Sequence, residues 1–136
     1  MSRISAISVG DALPERSFTA TNVSLFLYNA AIWNGHRIHY DEPYTVNVEK
    51  HPAIVIDGPL QGDWMSQCVL NWLGDDGDMV SFEYSNRRAS YLGETLTAVG
   101  EVTAVDVDAG KAEIKLGIRN EAGDIIAPGA AVVRFG

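Results

Sequence analysis

The chain has 136 residues, is 46 % apolar and carries a formal net charge of −8. That much apolar chain can bury a core, which excludes disorder as the default. The acidic balance excludes the basic face that duplex nucleic acid or an anionic membrane surface requires. The single cysteine, Cys68, excludes an intrachain disulfide and fits a reducing compartment.

The length is most simply one domain spanning 1–136. Met1 to Val9 is too short and too polar for the apolar core of a leader peptide. The longest apolar run, Leu25 to Trp33, is interrupted by Asn29 and falls short of a membrane span. The expectation is a soluble, cytoplasmic protein.

Gly10 to Pro14 reads as a turn, and Arg16 to Ala20 as a short strand. Thr21-Asn22 is a good helix cap. Val23, Phe26, Leu27, Ala30, Ala31 and Trp33 then recur at helical spacing, which predicts a helix over 22–33 stopped at a left-handed Gly35. Glu42-Pro43 opens a second short helix to about Glu49, and Ala53 to Ile56 is a buried extended segment.

Pro59 suits a first helical turn. Leu60, Trp64, Met65, Cys68, Val69, Trp72 and Leu73 fall at spacings of three and four, so the longest and most buried helix is predicted over about 59–73, ending at Gly74. The character then changes. Met79 to Asn86, Glu94 to Val107, Ala112 to Arg119 and Ile125 to Phe135 are strand-like, with turns at 108–111 and 120–124. Over 95–105, Thr95, Thr97, Val99, Glu101, Thr103 and Val105 are expected on one face. Leu96, Ala98, Gly100, Val102 and Ala104 are expected on the other. A sheet with one buried face needs a cover, and only the 59–73 helix is apolar enough. The fold class is α+β, with a curved antiparallel sheet wrapped around one central helix.

Two stretches carry chemistry. Asn34-Gly35-His36-Arg37-Ile38-His39-Tyr40-Asp41 holds two of the three histidines, and histidine is the side chain most easily poised for proton transfer near neutral pH. Ile56-Asp57-Gly58-Pro59-Leu60-Gln61 opens the central helix, where unpaired N–H groups favour negative charge. Together they offer an acid/base and an oxyanion site. The plainer reading is that Asn34 caps a turn and His39 is a satisfied core histidine. His36 and His39 have the spacing of metal ligands with Asp41 near, but a site needs a third ligand in convergent geometry and Cys68 is more simply core, so no metal is expected.

These stretches resemble the MaoC-like enoyl-thioester hydratases and dehydratases, which have the hot-dog fold. They are similar above all to the mesaconyl-CoA hydratase-like and mitochondrial type 2 dehydratase-like branch. Asn34 to His39 stands where the family has Asp-x-Asn-Pro-Ile-His, and Val55-Ile56-Asp57-Gly58-Pro59-Leu60-Gln61 where that branch has Val-Val-His-Gly-Pro-Leu-Gln. Asn86 to Leu96 is similar to the family's strand after the helix. The resemblance implies reversible hydration of 2-enoyl thioesters of CoA or a carrier protein, without a cofactor. It assigns His39 as general acid/base, Asn34 as the group orienting water, and the Gly58 N–H to the thioester oxygen. Substrate contacts are expected from His36, Arg37, Asp57, Pro59, Arg87 and Arg88, although Arg87-Arg88 reads equally as an exposed pair.

Two departures stand out: Asn34 replaces an aspartate, and Asp57 replaces a histidine. Family members are often two fused halves with the motif in the second. The resemblance therefore implies a homodimer, or a heteromer with a second hot-dog subunit. Two alternatives stay open: a thioesterase using Asp63, and a non-catalytic subunit of a heteromeric hydratase.

Overall fold

The computed structural model describes residues 3–136. Of the amino-terminal stretch read as too polar for a leader, Met1 and Ser2 lie outside the described residues. Strand β1 (Arg16–Thr19) leads to helices α1 (Asn22–Ala31) and α2 (Glu42–Asn47), and then to the central helix α3 (Gly58–Leu73). Strands β2 (Gly77–Tyr84), β3 (Thr95–Asp106), β4 (Lys111–Arg119) and β5 (Ile125–Phe135) follow. The five strands form one antiparallel sheet in the order β1-β3-β4-β5-β2.

The sheet covers α3, as the apolar spacing of that helix requires. Met65, Cys68, Val69 and Leu73 are essentially inaccessible and join one core with Leu96, Ala98, Ile114, Ile118 and Val133. Each large apolar side chain buried this way contributes about 1.5–3 kcal/mol. Phe18 of β1 stacks on Trp64, with centroids 4.6 Å apart. In β4, Ala112, Ile114, Leu116 and Ile118 point inward while Lys111, Glu113 and Lys115 point outward, the period of a half-buried strand. Arg3 bonds the Leu73 and Trp72 carbonyls and so caps the C-terminus of α3. Burial pushes the Cys68 thiol up, as suits a core cysteine.

Two expectations change. The alternation in β3 breaks at a register shift between Val102 and Ala104. The extra residue at this bulge swaps the faces beyond it. Val105 therefore lies opposite buried Ala112 and packs on the core instead of sharing the face of Thr95.

The first helix ends at Ala31, and the left-handed residue is Trp33 (φ 57°), not Gly35. The cause lies in the hydrogen bonds. Trp33 N–H donates to Ala30 O (3.4 Å) and Asn34 N–H to Asn29 O (2.9 Å), the pair of closures of a Schellman motif. That geometry demands positive φ one residue past the cap, whatever residue stands there.

Candidate active site

Three local structures build the site. The Schellman turn ends α1 and turns the chain so that Asn34 faces inward. A single 3-10 turn, Arg37–His39, follows; His36 Nδ1 accepts from Ile38 N–H at its start (3.3 Å). Asp41 then caps α2 by accepting from Tyr44 N–H (3.2 Å) and from the Arg37 guanidinium (2.9 Å). These contacts fix the loop on both sides of His39.

His39 is 8 % exposed. Its Nδ1 lies 2.8 Å from the carbonyl oxygen of Val55. A carbonyl only accepts, so Nδ1 carries the proton of the neutral ring and Nε2 is the free nitrogen. Val55 is itself held by a bridge to Tyr91 and by its N–H donating to Ile38 O (2.9 Å). The extended segment at 53–56 therefore positions the histidine.

His39 lines an open pocket of about 360 Å³ with Ile38, Gly58, Pro59, Gln61 and Arg87 among its walls. Gly58 and Leu60 open α3, and Pro59 between them has no N–H. Asp57 is the helix cap by position, yet its side chain makes no capping hydrogen bond. The Gly58 N–H is thus a donor without an intrahelical partner on the wall that His39 shares.

The structure sorts the expected site residues into two groups. His39, Gly58, Pro59, Arg87 and Arg88 line this pocket. Asn34, His36, Arg37 and Asp57 do not.

Asn34 Oδ1 accepts from His36 N–H (3.1 Å) and its Nδ2 points at Asp57 Oδ2 (3.4 Å), so both ends of the amide are engaged away from the pocket. Arg37 pairs with Asp41 and lies 4.1 Å over the Tyr44 ring. The exposed His36 ring sits 5.9 Å from His39. Asp57, expected at the substrate, is completely buried and turned to His39, with Oδ1 3.4 Å from Nδ1. Asn29 Nδ2 donates to the same oxygen, at 2.9 Å.

Arg87 and Arg88 are not equivalent. Arg88 pairs with Asp124 (2.9 Å), whereas among the described residues the Arg87 side chain meets only the Ser85 hydroxyl (3.0 Å). Asp63 is exposed, accepts from the Tyr28 hydroxyl (3.0 Å) and lies outside the His39 pocket. Burial, and after it the Asp63 hydrogen bond, push the Tyr28 phenol well above its ordinary range. Among the described residues no three His, Cys, Asp or Glu side chains converge as metal ligands, and no helix is long and apolar enough to cross a membrane.

Sequence reasoning missed Asn29, Gln61 and Ser90. Asn29 was visible only as a flaw in an apolar run; buried to 2 % exposure, that amide needs the partner it finds in Asp57. Gln61 is 3 % exposed, donates to Ser90 Oγ (3.2 Å) and keeps Oε1 unpartnered on the pocket wall. Helical periodicity marks neither residue, because both lie among apolar neighbours.

A sheet curled around one helix, with a buried histidine facing the start of that helix, defines a hot-dog domain. Residues 5–92 match the family described as hydroxyacyl-thioester dehydratase type 2, and the chain belongs to that family.

Among curated relatives, the mitochondrial hydroxyacyl-thioester dehydratase type 2 of Saccharomyces cerevisiae is 28 % identical over 82 residues, covering 60 % of this chain and 29 % of that protein. The mesaconyl-C(4)-CoA hydratase of Chloroflexus aurantiacus is 50 % identical over 36 residues, covering 26 % of this chain and 13 % of that protein. The chain thus matches less than a third of the length of either relative.

Similar solved structures include a MaoC-like dehydratase (TM-score 0.89, 18 % identity, covering 98 % of this chain and 42 % of that one). They also include the (R)-hydratase from A. caviae involved in PHA biosynthesis (TM-score 0.86, 21 % identity, covering 96 % and 98 %). A third is the ChsH1–ChsH2 complex from Mycobacterium tuberculosis (TM-score 0.83, 22 % identity, covering 95 % and 98 %). At these identities the likeness establishes the fold.

Proposed function

We propose that this chain catalyses the reversible addition of water across the double bond of a 2-enoyl thioester, the reverse direction being dehydration of a 3-hydroxyacyl thioester. The observation that carries the reading is His39, with Nδ1 tied to the Val55 carbonyl so that Nε2 is left free, lining a pocket that Gly58 at the start of α3 also lines.

In the forward direction, Nε2 takes a proton from water as its oxygen bonds to C3. The π electrons move toward the thioester oxygen, which the Gly58 N–H meets as it gains enolate character. The imidazolium then returns a proton to C2 on the same face. One base serving both carbons suits syn addition. Arg87, at the pocket wall without an acidic partner, suits a phosphate of CoA or of a carrier-protein pantetheine.

A second hot-dog subunit, identical or related, belongs to this reading. Strand β2 is a sheet edge paired only with β5, and Val23, Phe26, Leu27 and the 95 % exposed Trp33 leave apolar surface on and beside α1. A cytoplasmic setting is part of the same proposal, supported by the one cysteine being a buried free thiol.

The test is to incubate the purified chain with crotonyl-CoA and longer enoyl-CoAs and follow loss of enoyl absorbance. Hydration by the chain alone supports a self-sufficient oligomer. Hydration only with an added hot-dog subunit supports the catalytic half of a heteromer. Free thiol in place of hydration would overturn the reading in favour of a thioesterase using Asp63.

A further inference from the structure

The position that the resemblance gives to a catalytic carboxylate holds an amide, Asn34. The carboxylate of this cluster stands at position 57, and its surroundings are specific. Asp57 is fully buried, and no Arg or Lys side chain meets it among the described residues. Its Oδ1 faces Asn29 Nδ2 (2.9 Å) and His39 Nδ1 (3.4 Å), and its Oδ2 faces Asn34 Nδ2 (3.4 Å).

An aspartate at a helix start ordinarily caps the helix, and this one makes no capping bond. A buried carboxylate without a cation is costly unless hydrogen-bond donors or an imidazolium compensate it. Among the described residues, two amides and one imidazole face this carboxylate. Asn29 is itself anchored by donating to Leu25 O (2.7 Å), which fixes one donor on the rigid helix α1.

We infer that Asp57 is the positioning carboxylate of His39, held in place by Asn29 and Asn34, and that the acidic partner of the histidine has moved from position 34 to position 57 in this chain. Asp57 touches no substrate. The Val55 carbonyl takes the Nδ1 proton, which keeps Nε2 free, and Asp57 beside that nitrogen supplies the counter-charge when Nε2 is protonated. The inference rests on the hydration reading above and says which residue makes that histidine work.

The other titratable groups near His39 are His36 from its own loop and Arg87 and Arg88 in the wall of the same pocket, while Arg37 is turned to Asp41 and Tyr44. From α1 the nearest titratable group is Tyr28, bonded to Asp63. All of these remain when Asp57 alone is changed, so the comparison isolates its charge.

The experiment compares Asp57→Asn, Asn34→Ala and the unaltered chain on crotonyl-CoA across pH, with circular dichroism to check folding. Asp57→Asn is expected to lower kcat by about 100-fold with KM within about threefold, as expected for loss of a carboxylate that orients a catalytic histidine. Its remaining activity should extend to lower pH, because the imidazolium has lost its counter-charge. Asn34→Ala keeps the carboxylate and should lose less than about tenfold. Equal losses in the two variants, or an acid limb unmoved in a folded Asp57→Asn, would overturn the inference.

A second measurement needs neither a variant nor turnover. In the unaltered chain labelled with carbon-13 at aspartate and histidine, the Asp57 carboxyl and His39 ring signals should respond together through one titration. A His39 signal that titrates with no response at Asp57 would also overturn it. Coupled signals without enoyl hydration would sink the hydration reading and leave the pair standing.

Discussion

Asn86 lies directly over Gly58: a Cβ added at position 58 would fall on the Asn86 amide, with Asn86 Cγ 2.8 Å away. Gly58 is helical and needs no unusual φ, so alanine is acceptable to the backbone there. The clash is with the end of an exposed side chain, which can swing aside. Gly58→Ala should therefore change stability by less than about 1 kcal/mol. The displaced amide crowds the donor proposed for the thioester oxygen, so kcat should fall by about tenfold or more. Thermal melting beside enoyl-CoA kinetics separates the two effects. Unchanged kinetics would remove Gly58 from the mechanism.

His39→Ala removes a ring that lines the pocket and the donor held by the Val55 carbonyl. Turnover should fall by about 10²–10⁴-fold, the range of general acid–base catalysis. Stability should fall by about 1–3 kcal/mol, because a buried acceptor loses a partner. Urea titration and initial rates check both. A variant that kept full activity would leave His39 as a packed core histidine.

The two neighbouring arginines predict different kinetics. Arg88 is neutralised by Asp124, and among the described residues Arg87 meets only the Ser85 hydroxyl. Arg87→Ala should raise KM for a CoA thioester by about tenfold with kcat little changed, and the effect should shrink in high salt. Arg88→Ala should do less. Initial rates at two ionic strengths test this; equal effects would show that neither arginine holds the phosphate.

The loop carrying His39 has its own pH dependence. The Tyr44 N–H, and after it the Arg37 guanidinium, hold the Asp41 carboxyl below its ordinary value of 3.8. A depressed carboxylate stabilises the fold above that value and loses its contribution as pH falls toward the lowered one. Asparagine keeps a capping oxygen but no charge. The melting temperature of Asp41→Asn should therefore lie below that of the unaltered chain at neutral pH, and the gap should close as pH drops through the carboxylate range. A gap constant with pH would point to geometry rather than charge.

The order of elements, the central helix and the sheet were legible in the sequence, because apolar residues at spacings of three and four against two force one buried helix and a half-buried sheet. The helix over 59–73 is α3 to within one residue. The motif placed His39 and Gly58 near one another by resemblance to a known family. Tertiary structure decided the rest. A bulge at Thr103 carries no composition signal, yet it reverses the face of Val105. The left-handed residue fell on Trp33 instead of glycine because the closing hydrogen bonds set the conformation there. Above all, Asn29, Asn34, His39 and Asp57 are scattered along the chain. Only the packing of α1 against the start of α3 reveals that the buried carboxylate faces the histidine, because the hydrogen-bond needs of a buried group are met across space and leave no period in the sequence.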